Sequence, residues 1–122
     1  MSPVCGVGVD AVDVPRFRAA LGRRPAIADR LFTDAERRDG GGDAQRLAAR
    51  FAAKEATMKA LGGGIGSVGW RDVEVVRLET GAPSLHLTSA AESLAMRRGV
   101  SRWHVSLTHT ATVAIAMVVA EA

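Results

Sequence analysis

The stretch Lys54-Glu55-Ala56-Thr57-Met58-Lys59 puts one acid and two cations into a segment that otherwise reads as a core helix. Leu47, Phe51, Met58 and Leu61 recur at helical spacing and define an apolar stripe. Lys54 falls on that stripe, where an apolar residue is expected. Glu55 sits beside it, one turn before Lys59. Burying a charge is costly unless it is paired or binds a metal, so this segment is the first place to look for chemistry.

A second acid stands at a comparable place. Val4 to Asp10 reads as a strand, with Cys5, Val7 and Val9 on one face and Gly6, Gly8 and Asp10 on the other. The glycine face invites close approach of another element, and Asp10 ends that face. Asp10 and Glu55 are thus the acids placed to share a metal. Two carboxylates with open positions suit Mg²⁺, which accepts few protein ligands and keeps waters and phosphate oxygens. On these residues alone, a plain ion pair of Glu55 with Lys54 or Lys59 explains the pattern better than a metal does.

Two further segments carry polar chemistry. Gly62-Gly63-Gly64-Ile65-Gly66 follows the long helix, whereas a phosphate loop precedes one. It lacks the Lys-Ser/Thr of a Walker loop and reads locally as a C-cap and turn, with close backbone approach to a ligand the alternative. His104-Val105-Ser106-Leu107-Thr108-His109 alternates, so His104, Ser106 and Thr108 share one strand face and His109 points the other way. No nucleophile elbow surrounds Ser106. The expected role is an amphipathic strand whose wet face lines a cleft or meets solvent. His86 is assigned to the surface.

The 122 residues suffice for one domain and a moderate core, 48% of them hydrophobic and only 4% aromatic. Net charge is +3, and its source is local: Arg16, Arg18, Arg23, Arg24, Arg30, Arg37 and Arg38 face only Asp29, Asp34 and Glu36 in the same span. Such a patch suits a phosphate-bearing ligand or an acidic protein, or is simply a solvated face. Nucleic acid fits less well, because no aromatics interleave with the arginines to stack bases. Cys5 is the lone cysteine, which excludes a disulfide framework; a small buried side chain is its expected role. No targeting segment or apolar run long enough for a membrane is seen, so a cytoplasmic protein with no membrane partner is expected.

These residues need a scaffold. Asp13 caps a helix with Pro15 in its first turn, Pro25 to Leu31 forms a short helical piece, and Thr33-x-x-Glu36 is a capping box for a third. After Gly40-Gly41-Gly42, Asp43 caps the long helix, which stops at Gly62. Trp70 to Leu78 and Pro83 to Thr88 form a hairpin, Ser89 to Gly99 a helix, and Arg102 to Thr110 and Thr112 to Val119 two strands. The last is apolar on both sides and expected to be buried. Without a regular βαβ alternation, the expectation is a single α+β domain over 1–122, antiparallel-rich, with one long central helix and several short ones.

Gly6-Val7-Gly8-Val9-Asp10-Ala11-Val12-Asp13-Val14-Pro15-Arg16 resembles the first motif of the holo-acyl-carrier-protein synthases, the small bacterial 4′-phosphopantetheinyl transferases. Arg50 to Gly62 is similar to their second motif, built on Lys-Glu-Ala followed by Lys-Ala. Gly64-Ile65-Gly66, Trp70 to Val75, Gly81-Ala82-Pro83 and His104 to Thr110 also match, in the family's order and over nearly the whole chain.

The resemblance implies transfer of the phosphopantetheine arm of coenzyme A to a serine of apo-acyl carrier protein, leaving adenosine 3′,5′-bisphosphate. It implies Asp10 and Glu55 as ligands of Mg²⁺ (Mn²⁺ the substitute), with Lys59 at the pyrophosphate or in proton transfer. It implies Arg50, Lys54, Gly62, Gly64, Gly66, His104, Ser106 and Thr108 around the cofactor. Arg16, Arg23 and Arg24 would dock the acidic carrier, and a homotrimer would hold its sites between subunits. The default carrier serves fatty-acid synthesis, with a polyketide carrier the alternative. Met58 stands where relatives often have Ser or Ala, which implies a differently shaped pantetheine side. A different reading, a non-catalytic carrier-protein or nucleotide-binding module on the same fold, would keep the arginines but lose a metal acid or Lys59. All three residues are present.

Overall fold

The seventeen-residue helix α4 (Ala44–Ala60) is the axis on which the rest is assembled. Asp43 caps it by accepting from the Gln45 N–H, and alanines occupy most of the positions that meet other elements. Ala48, Ala52, Ala53 and Ala56 are fully buried. With so short a side chain between backbones, neighbouring elements approach closely.

A three-stranded antiparallel sheet covers one side of α4. Its order is β1 (Val4–Asp13), β5 (Val113–Glu121), β4 (Arg102–His109). The register pairs Gly8 with Val118, Asp10 with Ala116, and Leu107 with Ala116 from the other side. Ala114, Ala116, Val118 and Ala120 face the helix and are fully buried. A separate hairpin, β2 (Val73–Arg77) with β3 (Pro83–Leu87), lies beyond β4. It is entered through a 3₁₀ turn, Trp70–Asp72, where the expected strand began too early.

The short helices pack at the other end. In α1 (Val14–Arg23), Asp13 accepts from the Arg16 N–H and Pro15 occupies the first turn, as the spacing predicts. Next come α2 (Ala26–Leu31) and α3 (Asp34–Gly40), the latter with both bonds of its capping box formed. The helix α5 (Ser89–Arg97) closes the hairpin side. Two apolar clusters result, one between sheet, α4 and hairpin, the other around Phe17, Phe32 and Leu47. The computed structural model describes residues 2–122, and its α+β architecture is the expected one.

Two burial expectations fail for one reason, the orientation of the sheet. The strand β5 is buried on one face only: Ile115 is 38% exposed and Met117 52%. Val7 and Val9 lie on the same outer face, also exposed, and Cys5 is exposed rather than buried. With a single layer of helix on its inner face, the sheet has nothing over the outer one.

Candidate active site

Asp10 and Glu55 meet where β1 crosses α4. The crossing is close because β1 has glycine on its inner face. A Cβ at Gly8 would fall 1.9 Å from the Ala56 carbonyl oxygen, and one at Gly6 2.0 Å from that of Ala60. Asp10 is the next inward residue after Gly8, and Glu55 precedes Ala56. The two carboxyl groups are close enough to hydrogen-bond. Burial first, then the charge and hydrogen bond of Asp10, push Glu55 up to about 7, against the pull of Lys59. The Lys59 ammonium donates to Asp10 Oδ1 at 3.1 Å and to the Val9 carbonyl at 3.0 Å, which fixes the Asp10 side chain. The three expected residues thus come together.

Asp10 and Glu55 open into a cleft of about 480 Å³ between β1, α1 and α4. Phe17 and Phe51 form part of its wall, and Arg16 and Arg23 line it from α1. Arg24, at the end of α1, does not line it. Among the described residues no third His, Cys, Asp or Glu joins the acids in a metal-binding group. Two carboxylates facing an open cleft, one reluctant to ionise beside the other, form a donor set that Mg²⁺ fits, since it fills its other positions with waters and phosphate oxygens.

A second cleft, of about 330 Å³, lies between α4, the hairpin and the end of β4. Its character is basic: Arg46, Arg50, Arg77 and His109 line it, with Gly81 and Pro83 at the hairpin turn. Arg50 is only 7% exposed, and its Nε has no partner. Its Nη1 donates to the Arg46 carbonyl at 3.3 Å. Burial lowers the Arg50 pKa, with Asp39 and Glu36 pulling it back. A buried guanidinium with an unused N–H is prepared for an oxygen anion. His109 Nδ1 lies 3.1 Å from Gln45 Oε1 and comes from the inner face of β4. His109, Arg46 and Arg77 were not among the expected site residues. For His109 the signal was present in the strand alternation, which turns it away from His104; for Arg77 nothing local marked it.

Lys54 is not available to a phosphate. Its side chain is wholly buried, and its three N–H groups are all used, by Glu36 Oε1 at 2.7 Å, the Trp70 carbonyl at 2.9 Å and the Val73 carbonyl at 2.5 Å. Its partner is the acid of the α3 capping box. Nor is Met58 at a ligand surface: it is buried, and its Sδ accepts from the Gly66 N–H at 3.2 Å. It shapes the glycine loop from beneath. That loop is exposed, with Gly62, Gly64 and Gly66 at φ of 75°, 77° and 80°, a region that favours glycine.

His104, Ser106 and Thr108 project from the outer face of β4, opposite Val119, Met117 and Ile115. His104 Nε2 lies 2.7 Å from Glu121 Oε1, an interaction that holds the Glu121 carboxyl below its usual range. Asp10 belongs to the inner face. The polar strand residues and the acids therefore cannot meet within one protomer.

Comparison with known proteins gives this arrangement a family. The model of the 4′-phosphopantetheinyl transferase superfamily matches residues 6–118. The chain is 56% identical over 118 residues to the holo-[acyl-carrier-protein] synthase of Frankia alni, covering 97% of this chain and 98% of that protein. Among solved structures, holo-[acyl-carrier-protein] synthase from Neisseria meningitidis superposes with a TM-score of 0.89 at 32% identity, covering 98% of this chain and 100% of that one. The enzyme from Bacillus anthracis, in complex with CoA (3′,5′-ADP), gives 0.80 at 31%, over 99% and 98%. The chain belongs to the 4′-phosphopantetheinyl transferase superfamily, in its holo-[acyl-carrier-protein] synthase branch.

Proposed function

We propose that this enzyme transfers the 4′-phosphopantetheine group of coenzyme A to a serine of apo-acyl carrier protein, with Asp10 and Glu55 holding Mg²⁺ and the basic cleft holding the nucleotide. The observation that carries the reading is the Asp10–Glu55–Lys59 cluster, supported by the activity named for relatives that cover nearly the whole chain. In the reaction the serine hydroxyl gives up its proton to solvent as its oxygen bonds to the β-phosphorus of coenzyme A. The bond from that phosphorus to the bridging oxygen breaks, and adenosine 3′,5′-bisphosphate leaves. Held by Asp10 and Glu55, Mg²⁺ would supply positive charge where negative charge grows on the phosphoryl oxygens. Lys59 orients Asp10 and adds a cation at the same edge. Arg50, Arg46, Arg77 and His109 match the phosphates of the nucleotide end.

The two clefts face differently. Arg50 and Glu55 are five residues apart on α4, about 140° around a regular helix. One ligand spanning a nucleotide site and a metal site therefore favours contributions from two chains. The uncovered outer sheet face supplies a reason for chains to associate: Val7, Val9, Ile115 and Met117 form an exposed apolar strip. In a homotrimer closed on this face, His104, Ser106 and Thr108 lie at the subunit boundary. The exposed α1 arginines Arg16, Arg23 and Arg24 provide a cationic surface for an acidic carrier of fatty-acid synthesis. Within the described residues no helix is long and apolar enough to cross a membrane, and a cytoplasmic enzyme agrees with these substrates.

Incubation with apo-acyl carrier protein, coenzyme A and Mg²⁺ tests the function by intact mass. A gain of one phosphopantetheine arm, absent with EDTA, is the expected result. No gain on any carrier, with coenzyme A binding intact, would leave a non-catalytic binder instead.

A further inference from the structure

We propose that the buried pair Lys54–Glu36 is a positioning device that sets the hairpin wall of the basic cleft against α4. The hairpin β2–β3 forms its own two-stranded sheet and is not hydrogen-bonded to the three-stranded one. Its alignment must come from elsewhere. Lys54 donates to the carbonyls of Trp70 and Val73, which bracket the 3₁₀ turn leading into β2. Glu36 completes the tie from the other side: its Oε2 accepts from the Val75 N–H at 2.9 Å, while Oε1 accepts from Lys54 and from the Thr33 N–H. Thr33 in turn donates to Glu74 Oε2 at 2.5 Å. Both charged side chains are completely buried.

The tie is aimed at the cleft. Val75, Val76 and Arg77 of β2 line it, and so does Arg50, one turn before Lys54. A shift of the hairpin along α4 moves Arg77 relative to Arg50 and alters the spacing of their guanidinium groups. An apolar pair would fill the same space and lose little from the ion pair itself, but it would strip the Thr33 and Val75 N–H groups and the Trp70 and Val73 carbonyls of their partners. What apolar side chains lack is direction. Three N–H donors and two carboxylate oxygens with fixed partners specify one register.

The inference rests on the basic cleft as the coenzyme A site, so one readout is taken without ligand. The test compares wild type with the double variant Glu36→Leu/Lys54→Met. Hydrogen exchange of the 73–77 amides is followed in the free protein, then Kd for coenzyme A, KM and kcat. Expected are a lowered melting temperature, exchange in β2 accelerated about tenfold more than in β1 and β5, and coenzyme A Kd and KM raised about tenfold at unchanged kcat. Wild-type exchange in β2 overturns the proposal, as does faster exchange with unaltered coenzyme A affinity. Arg77→Ala separates the two readings: if it too leaves the affinity unaltered, the cleft assignment is the one that fails. Should the double variant not fold, Glu36→Gln keeps the volume and loses the charge and one acceptor. The same local loss of protection is expected there, and its absence overturns the proposal.

Discussion

Gly8 lies against Ala56 so closely that a Cβ would fall 1.9 Å from the Ala56 carbonyl oxygen, and this backbone contact sets Asp10 beside Glu55. The geometry of the proposed metal site is thus encoded two residues before Asp10 and one after Glu55. Gly8→Ala must push β1 off α4, because neither backbone can yield as a flexible side chain would. A loss of stability of about 1–3 kcal/mol is expected, with a larger proportional loss of turnover. Denaturant melts and steady-state kinetics on the same samples check this. Full activity at wild-type stability would mean that the strand position does not set the acids.

Glu55→Gln removes one metal charge and should cut kcat by orders of magnitude with the fold intact. It should also change how stability depends on pH. An unfolded glutamate ionises near 4.5, whereas Glu55 in the folded protein ionises at about 7. Between those values the native state keeps a proton that the unfolded state has lost. Stability of the metal-free protein therefore falls as pH rises from about 4.5 to 7, and the contribution is flat above. In Glu55→Gln this slope disappears. Mg²⁺ should protect wild type more at pH 8 than at pH 6, since binding must displace the proton. Thermal melts at several pH values, with and without Mg²⁺, read both effects.

Much of this site was legible in the sequence, and the parts that were not share a cause. Asp10, Glu55 and Lys59 were marked by polarity in apolar surroundings, and a glycine face announced the close crossing that joins them. The same criterion misassigned Lys54. A charge on a core stripe signals a partner, but its partner Glu36 sits 18 positions away and was identified only as half of a capping box. Arg77 and Arg50 meet across a cleft formed by tertiary packing, which no local pattern reports. The outer face of β5 was misjudged because apolar residues left uncovered on a sheet's outer face and those covered by the chain's own core look alike in sequence.

Arg16→Ala should raise KM for the carrier protein more than KM for coenzyme A. Arg16 lines the acidic cleft from α1, on the side away from Arg50 and Arg77. Its contribution should shrink as salt increases, because exposed charge pairs are screened. Kinetics with each substrate varied at two ionic strengths distinguish the outcomes. A larger effect on coenzyme A would assign the α1 arginines to the nucleotide.

Arg77→Ala should weaken coenzyme A while sparing the carrier, in the opposite pattern. Its guanidinium is exposed at the end of β2, so truncation removes charge without opening the core. Loss of one phosphate contact of this kind is worth about 1.5–3 kcal/mol, or roughly tenfold or more in Kd. Calorimetric titration with adenosine 3′,5′-bisphosphate isolates the nucleotide end. Unchanged affinity for it would place the anion elsewhere.

The outer sheet face offers the sharpest test of assembly. Val9 pairs with Met117 across the β1–β5 ladder, and Met117 pairs with Ser106 across β5–β4, so a band of three side chains crosses the whole sheet. Val9 and Met117 are 59% and 52% exposed, and neither supports the protomer's core. Met117→Asp should therefore leave the protomer folded and dissociate the proposed trimer, because a charge at the centre of an apolar interface must be desolvated. Activity should fall with dissociation if nucleotide and metal are held by different chains. Light scattering coupled to gel filtration gives the mass, and the transfer assay on the same fractions gives the activity. A monomeric variant with undiminished turnover would place the complete site within one chain.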